Sequence, residues 1–228
     1  PLRPLMARHF SARQTRRLPY LFSVAGEGFS MPGLRSARQP PTRDGFPATH
    51  ALLHAAHTRL VMRLEDLLTT RAFVLGDRFT LADAALYGQL GMNLADPTTA
   101  RALQAQQPRL HAWLMALHHG VPEPVGKGAL RIDSALQPLL AEIAHLHLPL
   151  MQQNAAAHQA LRAQGQRRFN EAAFDANEAL YDGLLDGQPF RSVAKSFQAR
   201  SWRDCLARHA ALPAAAKAAL QALLPRDT

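Results

Sequence analysis

Few side chains in this sequence combine a chemically useful type with a useful spacing. Thr80 and Asp83 stand three residues apart in front of an apolar run, the spacing at which a hydroxyl and a carboxylate cap a helix start reciprocally. Thr80 is expected to accept from the Asp83 backbone N–H, and the Asp83 carboxylate from the Thr80 N–H. Phe79 stands at the position of a hydrophobic staple, but its partner is only Ala84. His50, His54 and His57 fall at i, i+4, i+7 and would share a helix face. That geometry can hold zinc or nickel, yet no carboxylate or thiol lies close in sequence, so they read as structural residues. Cys205, flanked by Arg203 and Asp204, lies in a helical stretch rather than at a strand-to-helix turn, and reads as an ordinary thiol. His118-His119 can serve the carbonyl end of a helix. No residues are identified as catalytic or as metal ligands.

Positioning these groups requires elements, and the apolar spacing supplies helices. Leu53, His57, Leu60, Leu64 and Leu67 recur at three- and four-residue steps and predict an amphipathic helix over 48–71, with Glu65 and Asp66 turned away from the stripe. Residues 80–94 predict a thin, apolar helix, suited by Ala84, Ala85 and Gly88 to the middle of a bundle. Asp96-Pro97 restarts the chain, and Leu103, Leu110, Trp113, Leu114 and Leu117 form a further stripe ending at Gly120. Beyond the Pro- and Gly-rich 120–128, Pro138 and Pro149 must kink or divide a helical stretch that runs to about 164. Helices are expected over 170–180, 193–211 and 213–224, with Asp186-Gly187 open to a small turn or hairpin. No strand series and no internal repeat are apparent.

The chain has 228 residues and 47% apolar content, enough for a substantial core. Its single cysteine excludes an internal disulfide, and no stretch approaches the roughly 18 uncharged apolar residues of a membrane span. The cytoplasm is the expected location. The net charge of +9 is carried by arginine, lysine occurring only at Lys127, Lys195 and Lys217. Eight arginines stand against Glu27 alone in residues 1–43, whereas the remainder is nearly balanced. That basic segment lacks interleaved stacking aromatics, so neither nucleic acid nor membrane is expected as a partner. The opening Pro1-Leu2-Arg3, without Met, points to residues upstream.

The string Leu75-Gly76-Asp77-Arg78-Phe79-Thr80-Leu81-Ala82-Asp83-Ala84-Ala85-Leu86, set between a long amphipathic helix and a Trp113-containing helix, resembles the interior of the glutathione S-transferase C-terminal domain. The resemblance is specific over 48–119 and looser over 1–47. It implies an all-α fold, a transferase C-terminal-like helical bundle, in which Thr80 and Asp83 cap the central helix. Residues 1–128, with a loop over 23–47, would be the core, and 129–228 a helical C-terminal extension packed on it. It implies a substrate-side domain that walls the pocket for a small apolar electrophile, with glutathione as co-substrate bound mainly by an N-terminal thioredoxin-like domain. No βαβ unit of that domain is visible in the sequence. Met6, His9, Phe10 and Arg13, sharing one helical face, are the substrate-binding candidates on this analogy. The resemblance further implies a homodimer. The other reading is a non-catalytic, transferase-like helical scaffold that binds proteins.

Overall fold

The structure is a computed structural model that describes residues 44–95, 97–120 and 128–224. Met6, His9, Phe10 and Arg13, together with the whole basic segment, lie outside the described residues. The described residues divide into two compact units, one within 57–143 and 219–224, the other within 44–56 and 144–218.

The first unit is helical. The predicted amphipathic helix is α1, His50–Leu67, which enters this unit at His57. The next is α2, Leu81–Leu90, continued by a 3-10 turn over Gly91–Leu94. The stripe expected beyond Asp96 is two helices, α3 (Pro97–Gln106) and α4 (Pro108–His119). Pro108 makes the break: it has no N–H to continue α3, and it drives Gln107 out of the helical region to φ −133°, ψ 66°. A short 3-10 turn, Ser134–Leu136, then leads into α5, Gln137–Glu142. Leu64, Leu110, Leu114, Trp113, Leu90 and Leu136 meet in one buried core. Burying each such side chain contributes roughly 1.5–3 kcal/mol.

The N-cap of α4, Gln107, makes no side-chain cap bond. Glu65, expected on the solvent side of α1, supplies it: its carboxylate accepts the backbone N–H of Leu110 at 2.8 Å and of Arg109 at 3.2 Å. A carboxylate there also favours the positive end of the helix dipole.

The second unit corrects the all-α expectation, because the chain is mostly rather than wholly helical. A π turn, Ile143–His147, precedes α6, Leu148–Ala163, with Pro149, which has no N–H for the helical ladder, in the first turn of α6. The helix expected over 170–180 is only α7, Glu171–Asp175. Asn177 and Ala179 take positive φ values of 57° and 53°, which ends the helix and turns the chain into a strand. Strands β1 (Leu180–Leu185) and β2 (Gln188–Val193) pair antiparallel, Leu185 opposite Gln188. Asp186 and Gly187 join them with φ 51° and 68°, the two left-handed residues of a tight two-residue hairpin turn. Helices α8 (Ser196–Ala210) and α9 (Ala214–Leu223) follow, α8 packing along α6.

An isolated two-stranded hairpin is marginal in water. Here α6 grips it with neighbouring amides. Gln153 accepts the Leu184 N–H at 2.9 Å and donates to the Leu184 carbonyl at 2.8 Å. Asn154, fully buried, accepts the Lys195 N–H at 2.7 Å and donates to the Lys195 carbonyl at 3.0 Å. Leu185 and Phe190 pack with Leu52, and Val193 with Phe174 and Ala179.

Candidate functional site

At the head of α2 the structure forms the capping box and extends it. Asp83 Oδ2 accepts the Thr80 N–H at 2.8 Å and the Thr80 hydroxyl at 2.7 Å. Its other oxygen accepts the Val74 N–H at 2.8 Å, a bond that the local sequence pattern does not announce. The carboxylate is 0% exposed, so these three donors replace water and hold loop 71–80 to the start of α2. Phe79 has a larger apolar partner than Ala84. It meets Phe73 edge-on, ring centres 5.7 Å apart, and joins the core of the unit.

The same loop is fixed from its other side. Gly76 bridges to Phe73 and Leu130, Asp77 N–H donates to the Ala129 carbonyl at 3.0 Å, and Arg131 N–H donates to the Leu75 carbonyl at 2.8 Å. The buried Arg71 guanidinium donates to the Arg131 carbonyl at 2.7 Å and pairs with Asp133. Arg131 in turn pairs with Asp77 at 2.6 Å. The motif that carries the family resemblance is thus a structural joint, tied by backbone bonds, a buried carboxylate and two ion pairs.

Two concave features lie in the second unit. One is a cavity of about 20 Å3 between α1, α6 and the hairpin, where Thr49, Tyr181, Ser192, Lys195 and Gln198 face Leu52, Leu185 and Phe190. Burial pushes the Tyr181 phenol up and the Lys195 amine down from their usual values. A lowered pKa raises the share of neutral, nucleophilic amine at a given pH, but this volume admits about one water and no organic substrate. The other feature is an open trough of about 1030 Å3 along α6 and α8. Ala155, Ala156, Phe197, Trp202 and Leu206 line it together with Arg162, Arg200 and Arg203.

The histidines separate. His118 Nδ1 pairs with the Tyr87 hydroxyl at 2.9 Å, and His145 with Asp186 at the hairpin tip at 2.8 Å. Cys205 is an exposed free thiol on α8. Among the described residues no three His, Cys, Asp or Glu side chains are grouped to hold a metal, and no helix is long and apolar enough to cross a membrane.

The described residues thus set a capped helix, α2, between an amphipathic helix and a Trp-bearing helix. Residues 41–116, which take in α1 to α3 and most of α4, match the family model for the glutathione S-transferase C-terminal domain. No curated protein and no solved structure matches the chain.

Proposed function

We propose that this chain supplies the substrate-side domain of a glutathione S-transferase-like protein. The match over 41–116, with Thr80 and Asp83 at the head of its central helix, carries the reading. In it, Met6, His9, Phe10 and Arg13 form an apolar wall with one polar edge that takes a small electrophile. Glutathione is held, and its thiol ionised, by a thioredoxin-like module outside these residues, within a cytoplasmic homodimer. The wall contributes by orientation and exclusion of water, which lets the thiolate meet the electrophile at short range. Thiolate activation is not among its tasks.

The test is conjugation of glutathione to 1-chloro-2,4-dinitrobenzene, followed by absorbance, with the chain alone and with the whole gene product. Background rate for the chain and turnover for the whole product are expected. Robust turnover by the 228 residues alone would overturn the two-module reading. A photoreactive apolar electrophile analogue should label within residues 6–13. Absence of both turnover and labelling would leave the scaffold reading in its place.

A further inference from the structure

The trough along α6 and α8 lies within residues 152–206, outside the transferase-like segment 41–116, and its chemistry differs from that of an electrophile pocket. We propose that it is a docking site for an acidic amphipathic helix of a partner protein.

Shape comes first. The lining residues run from Gln152 to Arg162 on α6 and from Ser196 to Leu206 on α8. At about 1.5 Å per residue each wall is about 15 Å long, close to three turns of a third helix laid between the two. The volume of about 1030 Å3 stands at the upper end of small-molecule pockets, and the trough is open along its length, so a small ligand would stay largely hydrated. A helix would cover it. Ala155 and Ala156 on α6 allow close approach of such a helix.

The exposed apolar surface comes second. Helix α8 has no buried residue, and on it Phe197 is 69% and Leu206 48% exposed. Trp202 and Leu206, four residues apart, share one face of α8, and Phe197 lines the trough near the start of that helix, so apolar anchors of a docked helix meet side chains at both ends.

Charge selects the occupant. Arg162, Arg200 and Arg203 line the trough, and no Asp or Glu does. Arg200 lies over the Phe197 ring at 5.5 Å, and Arg203 has Asp204 beside it at 3.8 Å. His158, which donates to or accepts from the Ser196 hydroxyl at 3.0 Å, is held below its usual value by burial and by Arg162, so the arginines provide the positive charge at neutral pH. Carboxylates flanking apolar anchors complement this arrangement. A second copy of the chain, with its own net charge of +9, does not.

The experiment is selection of a displayed library of 14-residue helical peptides, face positions open equally to acidic, basic and apolar residues, against the full chain. Enriched peptides should combine Asp or Glu with Leu or Phe at helical spacing. A fluorescein-labelled enriched peptide should lose at least tenfold in affinity with the Arg162→Glu/Arg200→Glu double variant and with Phe197→Ser, all exposed positions whose folding is checked by circular dichroism. Its Glu-to-Lys counterpart should recover affinity for the double variant. No enrichment, enrichment of basic or uncharged peptides, or equal binding to the variants overturns the proposal. So does retention on phosphatidylserine vesicles or duplex DNA that the Arg162→Glu/Arg200→Glu variant loses and that the peptide cannot compete away.

Discussion

Asp83 concentrates more of the helical unit's stability than any rule about helix caps assigns to it. Its carboxylate takes three donors, two from Thr80 and one from Val74, with no exposure to water. Asp83→Ala therefore strands donors at two sites, and is expected to cost about 2–4 kcal/mol in urea unfolding. Asp83→Asn should recover only part of this, because its single oxygen can serve Thr80 or Val74 but its amide nitrogen accepts from neither. If Asp83→Ala unfolds at the wild-type urea concentration, the joint is not structural. Gly76 is the second sensitive point. At φ +118° its Cβ would lie 2.5 Å from the Ala129 carbonyl oxygen and 2.9 Å from the Arg131 nitrogen. Both are backbone atoms of the bridge to Leu130, so they cannot rotate away. Gly76→Ala should destabilise by roughly 3 kcal/mol or more, read as a fall in melting temperature.

Among the elements, the hairpin depends most on its neighbour. Asn154 satisfies both backbone groups of Lys195 from a fully buried position, so Asn154→Ala leaves a donor and an acceptor unmet and should cost about 2–4 kcal/mol. Asn154→Asp keeps the acceptor but loses the donor. Lys195 itself gives the hairpin end a pH dependence. Burial depresses its folded pKa, so between that value and the unfolded value of about 10.4 the unfolded chain binds more protons. Stability contributed by this site therefore rises as pH rises through that window. Below the window the buried charge is a constant cost. Lys195→Met is expected to raise stability at neutral pH and to flatten the rise, measured by urea titration from pH 7 to 10; an unchanged slope would remove Lys195 as its source. On the hairpin's outer face, Arg191 holds the directly opposite Asp182 through two hydrogen bonds at 2.7 and 2.9 Å, mainly these bonds lowering the carboxyl below its usual value. That support is present above the ordinary carboxylate range and is lost as pH falls through the lowered value.

For the whole molecule, the distribution of chemistry matters more than its amount. The segment matched to the transferase domain is spent on packing: its carboxylates at Asp83 and Glu65 cap helices, and its leucines fill the core. The open, charged and aromatic surface lies instead on α6 and α8, beyond the match. Glutathione alone should accordingly show no uptake by the 228-residue chain in equilibrium dialysis at micromolar protein, whereas the enriched acidic helix should bind it. Tight glutathione uptake would place the thiol site within these residues and reverse the assignment of roles.

Local spacing in the sequence determined the helices of the transferase-like segment. A stripe at three- and four-residue steps buries one face wherever the chain goes, and Thr80 and Asp83 sit close enough to cap without tertiary help. The Pro149 break and the Asp186-Gly187 turn were legible for the same reason, each being a constraint on one or two residues' own backbone angles. Tertiary structure decided the rest. The six-residue strands over 180–193 form where α6 offers the Gln153 amide to the backbone of Leu184 and the Asn154 amide to that of Lys195, just past β2, and residues 153 and 154 carry no local sign of that use. Glu65 becomes the cap of a helix more than forty residues later, and Val74 the third partner of Asp83, through contacts that periodicity does not encode. The trough exists only because α6 and α8, separated by the hairpin in sequence, lie side by side and bring Arg162 to the same surface as Arg200 and Arg203.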